Sequence, residues 1–244
     1  MTDRSSLAGS ALRLTKRAYV ATMHGVGRGL TAVHALPSDP PPRTSRARHW
    51  LWSLRHVYDV PALAAMDVPW WTYDAIDAVD AWLAARPETR VFEYGSGASS
   101  LWLARRATSV HSVEHDAGFA RWMEPEFARH ANLTVEVVEA EPSAAPVVPS
   151  AKEGQGGLDF ARYVATIDRV GGAFDLVVVD GRAREACLAR AVEHLAPGGL
   201  VVLDNSRRAR YRAAVAASGL AERRTTGLTP TLPYPEQTSL LRAR

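Results

Sequence analysis

RVFEYGSGASSLWLARRATSVHSVEHD, Arg90–Asp116, is the stretch that decides the fold. Val91, Phe92 and Tyr94 suit a buried strand. Gly95 and Gly97 allow a tight turn and a close backbone approach to a ligand. Ser99 to Thr108 has the apolar spacing of a short helix, with Leu101, Trp102, Leu103 and Ala104 on it. Val110 to Val113 is the next strand, and Glu114 stands at its C-terminal end. A glycine turn that opens a helix, with an acid after the following strand, outlines a nucleotide-type cofactor site. A dinucleotide-binding turn fits less well: its third glycine would fall at Ser100, and Glu93 would have no task.

Further strands follow the same logic. Ala117 to His130 is helical, and Leu133 to Val138 alternates as a third strand. Phe174 to Val179 is apolar but for Asp175 and ends in Asp180-Gly181, as expected of a parallel strand buried on both faces. Glu185 to Leu195 is its helix, Pro197-Gly198-Gly199 a turn, and Leu200 to Leu203 a strand ending in Asp204-Asn205. Tyr211 to Ser218 is a helix, and Ala221 to Thr226 and Gln237 to Arg242 are two closing strands. Ligands in such sheets bind outside the carboxyl ends of the strands. That places Asp180, Asp204 and Asn205 near the glycine turn, and Glu139 or Glu141 near the end of the third strand. Residues 142–157 hold three prolines and three glycines, a long loop that is either mobile or a lid. Asp159 to Val170 is helical.

At Glu93-x-Gly95-x-Gly97, with Glu114 after the second strand and FDLVVVDG, LAPGG and LVVLDN later, the chain resembles the class I S-adenosylmethionine-dependent methyltransferases. The resemblance spans about residues 90–206. It implies a doubly wound α/β fold with a mostly parallel seven-stranded sheet, an antiparallel last strand and a helical N-terminal cap. It also implies that Glu93, Tyr94, Gly95, Ser96, Gly97 and Ser99 meet the methionine part of S-adenosylmethionine and that Glu114 holds the ribose. His115 and Glu139 are expected beside the adenine, and Asp180 at the reacting end as a catalytic residue. The sites of catechol- and caffeoyl-CoA-type O-methyltransferases are similar in one more respect. Their metal-binding acids match Asp180, Asp204 and Asn205, and oxygen donors of this kind suit Mg²⁺, Ca²⁺ or Mn²⁺. The lysine base of the catechol type is matched by Ala183, between Arg182 and Arg184, so the base stays unassigned; His56, Tyr58 and Tyr73 are alternatives from the cap.

The 244 residues suffice for one substantial domain with an appendage. Residues 1–48 carry eight basic and two acidic residues, a net of +6, whereas the whole chain is +3; the remainder is therefore −3. We divide the chain into a basic arm and linker (1–48), a helical cap (49–88) and the methyltransferase-like domain (89–244). The arm, residues 1–35, suits docking on its own or a neighbouring subunit, an acidic partner or a membrane surface, and Pro37 to Pro42 is a linker. Trp70, Trp71 and Tyr73 in the cap and Tyr234 near the C-terminus are expected to form the substrate pocket. No apolar run spans a bilayer, no signal-peptide core is present, and one cysteine, Cys187, excludes an internal disulfide. A cytoplasmic location follows as the expectation. The expected activity is O-methylation of a small molecule. The alternatives are a nucleic-acid methyltransferase gripping phosphate with the arm, against which no Asn/Asp-Pro-Pro-Tyr/Phe motif follows Val179, and a non-catalytic adenosyl-cofactor-binding or partner-docking protein.

Overall fold

The computed structural model describes residues 37, 39–57 and 59–243. The basic arm up to residue 36 and Tyr58 lie outside the described residues. Within them, α1 (Arg46–Ser53), a 3-10 turn (Leu54–His56), α2 (Val60–Ala65) and α3 (Tyr73–Ala84) precede the sheet. Strand β1 (Arg90–Tyr94), α4 (Ala98–Ala104), β2 (Ser109–Glu114), α5 (Ala117–Phe127) and β3 (Leu133–Val137) form the first winding. The second comprises β4 (Glu141–Pro142), β5 (Leu158–Asp159), α6 (Ala161–Val164), α7 (Thr166–Val170), β6 (Phe174–Val179), α8 (Arg184–Glu193) and β7 (Leu195–Leu203). Helix α9 (Tyr211–Ala217) and strands β8 (Ala221–Gly227) and β9 (Glu236–Arg242) complete the chain.

Seven strands make one sheet in the order β3-β2-β1-β6-β7-β9-β8, and β4 pairs only with β5. The first five strands are parallel, and β9 runs antiparallel between β7 and β8. The fold is therefore the expected doubly wound α/β sheet with an antiparallel closing pair. The central strands feed both faces. Val91, Val110, Leu176, Val178, Leu200 and Val202 share one core with α2–α5. Phe92, Tyr94, Val113, Val177, Val179 and Val201 share the other with α6–α9. This two-sided burial produces the apolar run Leu176–Val179 of β6.

The register decides where the site lies. Tyr94 pairs with Val113 on one side and Val179 on the other, and Val179 pairs with Leu203. Gly95, Glu114, Asp180 and Asp204 therefore leave the sheet along one edge. Pro197-Gly198-Gly199 departs from expectation, since it lies inside β7. The ladder jumps from Phe174–Leu195 to Leu176–Leu200. Gly198 takes φ +74°, which absorbs the extra residues as a bulge without ending the strand.

The N-terminal helices are fastened to the last hairpin. Thr72 caps α3 by accepting from the Ala75 amide, and its hydroxyl lies 2.6 Å from that of Thr225 on β8. The Trp50 and Trp70 indoles donate to the Leu232 carbonyl (2.8 Å) and the Thr231 hydroxyl (2.6 Å). Among the described residues no helix is long and apolar enough to cross a membrane.

Candidate active site at the sheet edge

The turn after β1 is tight because two glycines meet. Gly95 has φ +94°, and a Cβ there would stand 2.8 Å from the Gly181 Cα. A Cβ on Gly181 would stand 2.0 Å from the Tyr163 hydroxyl. The DG at the end of β6 thus matters as much as the first glycine of the turn. A Cβ on Gly97 would meet only the Phe119 ring, at 3.9 Å, so that position opens toward a cavity.

Glu93 and Tyr94 do not line this cavity, contrary to expectation. Glu93 is fully buried beneath the turn and accepts from the hydroxyls of Ser99, Ser100 and Ser112. Ser100 in turn accepts from the Gly97 amide at 3.0 Å. Glu93 therefore braces the first turn of α4. Burial pushes its carboxyl up to about 7, against the pull of the three hydroxyls. The Tyr94 ring is buried in the core, and its hydroxyl donates to the Val164 carbonyl.

Glu114 does line the cavity. One carboxylate oxygen accepts from the Ser96 amide and hydroxyl, both at 2.9 Å. The other accepts from the His115 amide (2.8 Å) and the Asp116 amide (2.9 Å), with His115 Nδ1 2.7 Å away. Burial works against its charge, but the His115 ring and these donors prevail and hold its pKa below the ordinary value.

The other strand ends differ from the expected metal constellation. The Arg184 guanidinium sits among them. It donates to Asp180 Oδ1 at 2.6 Å and to the carbonyls of Asp180, Gly181 and Asp204. Asp204 is buried, its Oδ1 accepts from the Thr238 hydroxyl, and burial beside Asp180 pushes its pKa up to about 8. Asn205 Oδ1 accepts from Arg208 at 3.2 Å. Burial likewise raises Asp180, opposed by Arg184, Arg182 and Arg208. A divalent cation would enter a space where the buried Arg184 guanidinium already holds Asp180. Asp180, Asp204 and Asn205 do not fit a metal, and the described residues hold no cluster of three or more His, Cys, Asp or Glu arranged for one.

The cavity measures about 300 Å³, at the lower end of small-molecule sites. The turn residues Gly95 to Ser99, with Glu114, His115 and Asp180, line it together. Of the expected aromatic wall only Trp70 is present. Trp71 is buried against Trp102, and Tyr73 is buried with its hydroxyl 2.6 Å from His49 Nδ1. Tyr234 is exposed and does not line the cavity. Glu139 is exposed outside the cavity, and Glu141 pairs with Arg162. His56 lies 3.4 Å from Asp59, also away from the cavity. Val60, Asp116, Phe119 and Arg182 line it without having been singled out as site residues. A usable signal was the Asp116 cap one helical turn before Phe119, whose amide it accepts.

A scan against protein-family models finds no match, and neither does a comparison with curated proteins. Solved structures are similar. The O-methyltransferase TomG from Streptomyces achromogenes, involved in tomaymycin synthesis and crystallised with S-adenosylmethionine, is 19% identical with a TM-score of 0.54. That likeness covers 75% of this chain and 88% of TomG. A methyltransferase-like protein from Silicibacter pomeroyi is 20% identical over 68% of this chain and 86% of its own, with a TM-score of 0.45. The N-methyltransferase NodS from Bradyrhizobium japonicum is 13% identical over 70% and 95%, with a TM-score of 0.47. Strand order, the glycine turn and the likeness to TomG agree: the chain has the Rossmann-like fold of the class I S-adenosylmethionine-dependent methyltransferases.

Proposed function

We propose that the chain is an S-adenosylmethionine-dependent methyltransferase that modifies an oxygen atom of a small molecule without a catalytic metal. The observation that carries this is the single cavity shared by the glycine turn, Glu114 and Asp180 at three adjacent strand ends. The groups around it suit the donor. Glu114 is an ionised acceptor for ribose hydroxyls, with the rotatable Ser96 hydroxyl as the partner they would replace. The open backbone at Gly97 suits the amino-acid portion, and Val60 and Phe119 the apolar faces of the purine. Bound S-adenosylmethionine supplies an activated methyl group, so the chain's own work is alignment and exclusion of water. The oxygen acceptor extends the likeness to TomG, itself an O-methyltransferase.

Calorimetric titration with S-adenosylhomocysteine tests the donor assignment. Wild type is expected to bind, and Gly95→Ala to lose at least about tenfold, because its Cβ meets the Gly181 backbone. Glu114→Gln, which keeps the side-chain shape, is expected to weaken binding as well. No heat from wild type with either adenosyl compound would refute the donor assignment. Labelled donor offered to phenolic, hydroxy-acid and amine acceptors then tests the oxygen acceptor.

A further inference from the structure

A second, smaller cavity of about 70 Å³ opens beside the first and shares Gly181 and Arg182 with it. Five cationic side chains line it, Lys152, Arg182, Arg184, Arg208 and Arg210, against one carboxylate, Glu185. They converge from three stretches of chain: the loop before β5, the β6–α8 connection with the start of α8, and the β7–α9 connection.

Among the described residues, two of the four arginines, Arg182 and Arg208, have no carboxylate within 4 Å, while the other two are paired. Arg184 is paired with Asp180. Arg210 Nε stands 3.9 Å from Glu185, a loose pair. Among the described residues, Arg182 and Arg208 hydrogen-bond only to neutral oxygens: the Gly181 carbonyl, Asn205 Oδ1 and the Tyr211 hydroxyl. Arg182 Nε is buried with no hydrogen-bond partner. The backbone adds to the field. The ten-residue helix α8 begins here, and its N-cap, Ala183 at φ +47°, has no side chain to cap it. The uncapped amides and positive dipole end of α8 favour an anion. Convergent guanidinium groups suit oxyanions, which they bind through paired hydrogen bonds. The small volume suits one such group and not a whole substrate.

We propose that this cavity binds an oxyanionic group of the methyl acceptor, a carboxylate or a phosphate monoester, while the acceptor's nucleophile reaches the larger cavity past Gly181 and Arg182. The acceptor role rests on the larger cavity holding the adenosyl donor. A pit of about 70 Å³ suits a terminal oxyanion of a small molecule better than the continuous backbone of a nucleic acid, which needs an extended groove.

The test titrates inorganic phosphate and, separately, succinate into the full chain saturated with S-adenosylhomocysteine in low-salt buffer. One oxyanion site is expected, and the tighter of the two probes names the group. Arg208→Gln and Arg210→Gln, outside the larger cavity, should each weaken that binding about tenfold. S-adenosylhomocysteine affinity, which also reports folding, should stay within about twofold. Wild type that binds S-adenosylhomocysteine but neither probe, or variants that bind the probe as wild type does, would overturn the oxyanion site and leave the donor assignment standing. Probe binding without S-adenosylhomocysteine binding would support the anion pocket and overturn its acceptor role. A single-stranded ribo-oligonucleotide that binds at least about 100-fold tighter than phosphate, with affinity falling steeply in salt, would overturn the small-molecule acceptor.

Discussion

Glu93 stands on a strand buried on both faces, and three serine hydroxyls donate to it. Burial is still the stronger influence, and it moves the carboxyl from 4.5 to about 7. The native state therefore holds this proton more tightly than the unfolded chain. Between pH 4.5 and about 7 it carries more protons than the unfolded state, so stability falls as pH rises through that window. At about 1.4 kcal/mol per pH unit the loss is on the order of 3 kcal/mol. Asp204, raised to about 8, drives the same trend into a higher range. Glu93→Gln cannot titrate, and its amide can still pair with serines that rotate. Urea unfolding at pH 5 and pH 7.5 should show a smaller decline for Glu93→Gln than for wild type. Equal declines in the two proteins would rule Glu93 out as the titrating group. In the sequence Glu93 is an acid two places before a glycine, which suits a ligand contact. Its partners Ser99, Ser100 and Ser112 come from a helix and a neighbouring strand, and only the register brings them beneath the turn.

At the scale of elements, the strands were legible because a strand covered on both faces is apolar along its buried length, as Leu176–Val179 is. The bulge in β7 was not, because Pro197-Gly198-Gly199 carries the same local signals whether a strand ends or absorbs extra residues. The cap was legible as buried helix, but not which aromatic residue faces the ligand, since Trp70 and Trp71 are adjacent and point to different surroundings. The prolines and glycines of the long loop before β5 suit either a mobile segment or a lid, and its anchoring is visible only in three dimensions. The Asp159 carboxylate accepts from the amides of Val147 (2.8 Å), Val148 (3.0 Å) and Ala161 (2.9 Å). Arg210 donates to the Ala151 carbonyl at 3.4 Å, drawing the loop over the smaller cavity. Asp159→Ala should free the loop while the sheet stays intact. Amide exchange at Val147 and Val148 is expected to rise at least about tenfold, with exchange in β1 and β6 unchanged. Unchanged exchange at Val147 and Val148 would show that the loop is held by something else.

Across the whole molecule, the question at the sheet edge is which sign of charge prevails. Read along the chain, Asp180, Asp204 and Asn205 form an oxygen-donor set at neighbouring strand ends, and Arg182 and Arg184 only flank the place where a lysine was sought. In the folded chain Arg184 occupies the centre of that set and binds both strand ends. Arg182, Arg208 and Arg210 extend the positive region beyond it. A metal ion would have to displace a buried guanidinium and leave it unpaired, which costs several kcal/mol. An anion meets the opposite situation, with donors already arranged and partly unsatisfied. The two ligand types therefore make opposite predictions for one measurement that needs no acceptor. A ligand bound only by the native state raises the melting temperature with its concentration. Thermal unfolding in Mg²⁺ chloride and in a chelator should agree within about 1 °C. Phosphate at matched ionic strength should raise the transition in a concentration-dependent way. A rise with Mg²⁺ that the chelator reverses would return Asp180, Asp204 and Asn205 to the role of metal ligands and require Arg184 to swing away from Asp180.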